Sequence, residues 1–355
     1  MKHLVERIAE QRENLRKTLL EEQVRYGGYE NWYESLAEFR EQMKKYVQTV
    51  ELLSGESVFR HKVTKVGTHL IDWHALAFFA PLEFKRIGIG LEKLSPEEHL
   101  LKISNQCKEK GIRFIYVPLP NKKAIYPELV VDEKYIEKGK CLIPQWRRFL
   151  SELAKDDYIE IIDVYQDFVE NKESDLFSKV EHNISPKGAE LVGNKIAEYL
   201  QNTTQIEKNG MQIVSTEMKI PVESAEHDVK NPDFGRHVFY PGKQISIENS
   251  EDLEIYTGTN VPSDIMLIGD CNVQAFMLQG ASVTAQASYS LEYPIEYGGR
   301  CLPFDKYSRI NAFKRHSLAG KDVLIYVAFA SAPFVRAPEH WYTWCVDGIY
   351  ENAFE

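Results

Sequence analysis

Along the first fifty residues, apolar side chains recur at three- and four-residue steps. Trp32, Leu36, Phe39, Met43, Val47 and Val50 make one stripe, and Val5, Ile8, Leu15 and Leu19 a thinner one. This period places each set on one face of a helix, and Gly27-Gly28 separates them. Two helices are therefore predicted over 1–53. They form either a hairpin that buries its stripe on the main domain or an arm that binds a partner. From 58 to 203 the pattern changes to short apolar runs alternating with amphipathic stretches. Two short strands are predicted about Gly67 and a helix over 94–110, opened by Ser95-Pro96-Glu97-Glu98. Arg113-Phe-Ile-Tyr-Val-Pro-Leu119 reads as a buried strand and 143–153 as a helix. Tyr158-Ile-Glu-Ile-Ile-Asp163 is a second strand, and Ser185-Pro186 opens a helix running to Leu200. This order predicts an α/β fold, a parallel sheet flanked by helices.

Residues 204–262 break the rhythm. Met211-Gln-Ile-Val-Ser-Thr-Glu-Met218 and Gln244-Ile-Ser-Ile-Glu248 alternate apolar with polar, which predicts a β-rich insertion. The α/β pattern resumes with a strand ending at Ile268, a helix over 273–279 and the strand Val323-Leu-Ile-Tyr-Val-Ala-Phe329. The aromatic tail (Trp341, Tyr342, Trp344, Tyr350, Phe354) is expected to pack. The chain thus divides into a helical arm (1–55), a first part of the α/β domain (56–203), the insertion (204–262) and a second part (263–355).

Composition narrows the function classes. The chain has 355 residues, 43% hydrophobic and 27% charged, as a soluble globular protein does. A net charge of −10 argues against nucleic acid as a partner and gives no support to docking on an anionic membrane. The five cysteines share no C-x-x-C spacing, so neither a disulfide framework nor a zinc site is expected. His69, Asp72 and His74 fit no familiar metal spacing. Gly88-Ile-Gly90 lacks the context of a dinucleotide-binding turn, and no Walker loop occurs. Met1-Lys-His-Leu-Val-Glu-Arg7 is charged, without the apolar core of a signal peptide. No apolar run reaches the roughly 18 residues that span a bilayer. These features predict a cytoplasmic protein, or a periplasmic or extracellular one whose signal has been removed.

The chemistry concentrates at Ile265-Met-Leu-Ile-Gly-Asp-Cys271. A run of β-formers climbs to Gly269, Asp270 and Cys271, and an amphipathic stretch follows. That is the layout of a nucleophile elbow, a sharp strand-to-helix turn that presents one reactive side chain at the rim of a parallel sheet. Gly269 permits the turn, and the N–H of Asn272 is the expected oxyanion donor. Asn121 and Lys122 follow the end of the 113–119 strand, where open α/β sheets bind ligands, and are candidate substrate contacts. Lys123 reads as part of a surface turn. Arg309 and His316 lie between the last two strands, with His316 a second candidate base.

Four segments, in order, resemble the AlgX/AlgJ family of SGNH-hydrolase-like polysaccharide O-acetyltransferases. Gly67-Thr-His-Leu-Ile-Asp-Trp73 resembles the family's entry strand. Gly111 to Glu128, through Pro118-Leu-Pro-Asn-Lys122 and Tyr126-Pro-Glu128, matches its "v-P-x-P-x-K…Y-P-E" block. Asp163-Val-Tyr165 with Ser185-Pro-Lys-Gly-Ala189 resembles the block around "D-T-H-W-S-P-x-G-A", and Gly269-Asp-Cys271 resembles "G-D-S". The resemblance covers about residues 60–335. It implies a Ser–His–Asp triad, an acyl group and a carbohydrate acceptor.

This chain departs from that pattern twice. Cys271 stands where the family has its nucleophilic serine. A thiol at a helix N-terminus ionises more readily and suits exchange with thioesters, although Asp270 beside it opposes a second negative charge. The acyl donor would then be coenzyme A or an acyl carrier protein, and no bound cofactor is expected. The second departure is in the base block. Anchored on Pro186 and Gly188, a gapless overlay puts Glu181 at the family's Asp and Asn183 at its His, with His182 one residue off. In one reading His182 is the base, oriented by Glu181 or Asn183. In the other the base is gone, and the domain binds a glycan or acyl ligand without reacting. The first reading makes the protein an acyltransferase or an acyl-ester or thioester hydrolase, with a carbohydrate or small-molecule acceptor. Reaction of Cys271 with dilute iodoacetamide ahead of the other cysteines would separate the two.

Overall fold

The computed structural model describes residues 2–54, 62–63, 70–71, 82, 96–137, 139–179, 183–207, 211–223, 237–248, 252–259, 261–298, 316–330 and 346–347. The N-terminal stripes form three helices, α1 (Lys2–Arg25), α2 (Tyr29–Ser35) and α3 (Ala37–Ser54). The second predicted helix is divided at Leu36. There the Ser35 hydroxyl donates to the Trp32 carbonyl at 2.7 Å, and the Leu36 N–H turns back to Tyr33 rather than to Trp32. Such i→i−3 bonding tightens the last turn and ends a helix. Leu19, Trp32, Leu36, Phe39 and Met43 belong to the same core cluster as the central sheet. Trp32 Nε1 donates to the Cys141 carbonyl at 3.0 Å. The buried Arg147 bonds Glu22 of α1 and Asp163, each at 2.7 Å.

A short antiparallel pair, β1 (Lys62–Val63) and β2 (Leu70–Ile71), flanks Gly67. Then come α4 (Pro96–Glu109), β3 (Arg113–Leu119), the single turn α5 (Lys122–Ile125), α6 (Pro144–Leu153), β4 (Glu160–Ile161), α7 (Tyr165–Glu170) and α8 (Pro186–Thr203). The insertion folds as a long antiparallel ladder, β5 (Gln212–Glu223) on β6 (His237–Glu248), with β7 (Leu253–Ile255) added to the outside of β6. The chain returns through β8 (Ile265–Gly269), α9 (Cys271–Gln274), α10 (Val283–Leu291), β9 (Glu296–Tyr297), β10 (His316–Ser317), β11 (Val323–Phe329) and β12 (Val346–Asp347). β10 and β12 pair with each other, apart from the main sheet. The aromatic tail residues Trp341, Tyr342, Trp344, Tyr350 and Phe354 lie outside the described residues.

The main sheet runs β4-β3-β11-β8-β9, and every pair in it is parallel. Strands β8 and β11 are buried along their whole length, and β3 beyond Arg113. Both faces are covered, which is why these strands read as continuous apolar runs and not as alternation. The expected α/β class is therefore what the chain adopts, a parallel sheet flanked by helices. From β3 the chain leaves toward β4, and from β8 toward β9, on opposite sides of the central β11. Ligands of open α/β sheets bind at such a switch point, beyond the carboxyl ends of the strands.

The helix predicted over 273–279 is not continuous. α9 is one turn, and Phe276 then takes a left-handed conformation (φ 63°) before a 3₁₀ turn. The regular helix is α10, capped by the Ser282 hydroxyl accepting from Ala285 N. A helix dipole needs aligned peptides over more than one turn. The dipole expected to activate Cys271 is accordingly small.

Candidate active site

The site begins where β8 ends. Gly269 abuts β11 so closely that a Cβ there would sit 2.3 Å from the Val327 carbonyl oxygen and 2.3 Å from Val273 Cγ2. The glycine is required by this close approach. Gly269→Ala should therefore cost about 1–3 kcal/mol, the usual range for overpacking a core. Urea unfolding measures this directly, and an unchanged midpoint would contradict the elbow geometry.

Asp270 holds the turn. It is the N-cap of α9, and its Oδ1 accepts from Asn272 N at 2.9 Å and from Asn272 Nδ2 at 2.7 Å. Its Oδ2 accepts from Phe329 N at 2.8 Å, which ties the elbow to the end of β11. This carboxylate is thus surrounded by N–H donors that accommodate its charge. The Asn272 N–H, expected as an oxyanion donor, is committed to Asp270 in this structure. The Asn272 side chain works on the opposite wall, where its Oδ1 accepts from Ile184 N at 2.9 Å.

Cys271, the next residue, is exposed. Its Sγ donates to Asn183 Oδ1 at 3.0 Å. Asn183 is held where residues 176–178 run antiparallel to 183–185. Phe177 bridges Ile184, Ser178 N donates to the Asn183 carbonyl at 3.0 Å, and Ser185 N donates to the Leu176 carbonyl at 2.9 Å. Ser185 then caps α8, accepting from Lys187 N and Gly188 N. The Ser-Pro helix start seen in the sequence is what fixes Asn183 two residues before the cap. The other cysteines described, Cys107 and Cys141, are buried, and burial pushes each thiol up to about 12. They stay protonated at neutral pH, so their reactivity is suppressed while Cys271 faces solvent.

Asn121, Lys122 and Lys123 are buried at the end of β3. They are not the surface turn that Pro-Asn-Lys-Lys suggests in isolation. Lys122 Nζ donates to the Ser178 carbonyl, so this lysine holds the Asn183 turn from below. Asn121 begins α5, its carbonyl accepting from Ala124 N at 2.9 Å. Of the remaining candidates, Glu181, His182 and Arg309 lie outside the described residues. His316 is placed by its backbone alone, in β10. Two residues at the site escaped the sequence reading, Ser178 and Tyr240. Their partners are 56 and 61 residues away in the chain, and no local pattern marks them. Among the described residues no group of His, Cys, Asp or Glu could hold a metal ion, and no helix is long and apolar enough to cross a membrane.

A parallel sheet whose next-to-edge strand β8 ends in Gly-Asp-Cys, faced by a Ser-Pro-capped turn, has the arrangement of an SGNH-type α/β domain. The profile of the family described as "SGNH hydrolase-like domain, acetyltransferase AlgX" matches residues 95–292, more than half of the chain. The chain belongs to that family, and so to enzymes that transfer acyl groups at ester bonds. No curated protein sequence matches it. Among solved structures it is similar to the O-acetyltransferase domain of Pseudomonas putida AlgJ, at 14% identity over 69% of this chain and 86% of that one (TM-score 0.47). It is also similar to Pseudomonas aeruginosa AlgX, at 16% identity over 76% of this chain and 65% of that one (TM-score 0.47).

Proposed function

We propose that the protein transfers an acyl group through Cys271, from a thioester donor to a carbohydrate or small-molecule hydroxyl. The observation that carries this reading is the exposed Cys271 thiol at the elbow, with the Asn183 carboxamide 3.0 Å from it. A serine hydroxyl needs an adjacent base to become a nucleophile, whereas a thiol is partly ionised near neutral pH. Cysteine in place of serine and asparagine in place of histidine are then one compensated change. The carboxamide serves both states of the sulfur. Its Oδ1 accepts from the thiol, and after rotation its Nδ2–H donates to the thiolate.

In the first step the thiolate attacks the donor carbonyl. A Cys271 thioester forms, and the donor leaves as a thiolate that takes up the proton Cys271 released to solvent. In the second step the acceptor hydroxyl attacks the Cys271 thioester, its proton passes to water, and the thiolate is regenerated. Acyl thioesters of coenzyme A and of an acyl carrier protein are both donors of the required class. The carbohydrate acceptor follows from the family.

The test is the intact mass of the protein after brief incubation with acetyl-coenzyme A and with longer acyl thioesters, alongside Cys271→Ala. One acyl adduct on the native chain and none on the variant is expected. A folded native chain that takes no adduct from any donor would overturn the reading and leave a domain that binds without reacting.

A further inference from the structure

The β-rich insertion reaches the active site through one side chain. Tyr240, a quarter of the way along β6, is buried. Its hydroxyl oxygen accepts the Lys179 N–H at 2.6 Å. Lys179 follows Ser178, at the end of the stretch that runs antiparallel to the one carrying Asn183. The Tyr240 side chain also forms a small buried apolar cluster with Val222, and Val238 and Phe276 pack against that cluster. Phe276 is the residue that takes the left-handed conformation just after α9. A non-glycine residue held there costs on the order of 1 kcal/mol or more and persists only where its surroundings fix it. Tyr240 therefore bonds the stretch that adjoins Asn183 and belongs to the cluster on which the segment following Cys271 packs. The contact spans 61 residues of chain and joins two strand-and-helix units that share no ladder. Burial pushes the Tyr240 phenol up, so it stays a neutral hydroxyl and adds no charge near the sulfur.

We propose that Tyr240 is a positioning residue for Cys271, setting the Asn183 carboxamide on the sulfur by anchoring Lys179 and seating Phe276. This rests on the reading of Cys271 as the nucleophile. The role is geometric. With the turn pinned at Lys179 from β6 and at Ser178 from Lys122, Asn183 can supply an N–H to the thiolate. With the Lys179 anchor gone, the same amide spends less time in reach. A hydrogen bond to a charged group is stronger than one to a neutral group. Loosening the turn therefore favours the thiol over the thiolate, and the pH at which Cys271 becomes reactive moves up. The insertion, which looks like an excursion from the α/β domain, is on this account a part of its catalytic apparatus.

The experiment is the pH profile of Cys271 alkylation by iodoacetamide in the full chain, read by peptide mass. Tyr240→Phe keeps the ring and removes the hydroxyl, and with it the bonds to the Lys179 N–H and the Ser178 side chain. Alkylation at pH 7 should slow by about fivefold, the factor carried by one ordinary hydrogen bond, with the profile displaced to higher pH. In an Asn183→Ala background, Tyr240→Phe should add nothing, because both changes remove the same contact. An unchanged rate and profile in the single variant would overturn the proposal. So would equal slowing in both backgrounds, which would make Tyr240 a packing residue. Labelling of buried Cys107 or Cys141 in Tyr240→Phe would count against it too, as a sign of general loosening. Alkylation needs no acyl donor. A native chain that takes no acyl adduct yet shows the coupled alkylation behaviour would sink the nucleophile reading and leave the positioning intact.

Discussion

Asn183→His should speed loss of the acyl group from Cys271 by about a hundredfold, the lower end of the range for a positioned general base. Asn183 already lies 3.0 Å from the sulfur through its Oδ1, on a turn fixed by the Phe177–Ile184 bridge and the Ser185 cap. An imidazole at this position reaches the same region from the same backbone. Unlike a carboxamide, it can take the proton of an incoming hydroxyl or water. The measurement is the decay of the acyl adduct by mass, with and without a sugar acceptor. The gain should appear above the imidazole pKa, about 6.5, and fade below it, since only the neutral ring is a base. The resemblance also offers His182, next in the chain, as the base. If His182 fills that role, Asn183→His brings no gain and His182→Ala abolishes turnover. The pair of variants thus assigns the base to one position or shows that neither matters.

Cys271→Ser should lose acyl transfer by a factor on the order of 10²–10⁴, the usual worth of a missing base to a hydroxyl nucleophile. The substitution changes one atom and restores the residue that the family pattern has at this position. Its failure would be informative for that reason. The serine would face Asn183, which accepts a hydrogen bond and cannot accept a proton. Adding Asn183→His to Cys271→Ser should recover a large part of the loss, and the excess over the sum of single effects is the coupling between the two positions. Activity in Cys271→Ser close to that of the native chain would show that a base already serves the site. The compensation between cysteine and asparagine argued above would then be wrong. Thermal unfolding of each variant separates a chemical effect from a lost fold.

Much of the scaffold was legible because its signals are local. The runs Arg113–Leu119, Ile265–Gly269 and Val323–Phe329 are apolar throughout since both faces of a parallel sheet are covered. Ser185 and Pro186 announced α8, and the alternation at 211–218 and 244–248 announced the β5–β6 ladder. Errors arose where local pattern and local geometry part. Residues 273–279 have a helical spacing of apolar positions, yet Phe276 turns left-handed and the helix starts again at Val283. Pro-Asn-Lys-Lys has surface composition, yet Lys122 and Lys123 are buried beneath the site. Lysine is tolerated there because its ammonium meets a carbonyl oxygen, as Lys122 does at Ser178.

The sequence by itself determined the class of fold, the family and the identity of the elbow residue, because each is written in a contiguous stretch whose period or composition has one physical meaning. That Asn183 reaches the thiol is seen only in three dimensions. A gapless overlay puts Asn183 at the base position and a one-residue shift puts His182 there, and such a shift in a turn leaves no trace in composition. Asn183 is brought to the sulfur by a bridge between Phe177 and Ile184 and a bond from Ile184 to Asn272, 88 residues on. Tyr240 was likewise invisible, since its meaning lies in Lys179 and Phe276, on two different elements that only packing brings to one ring.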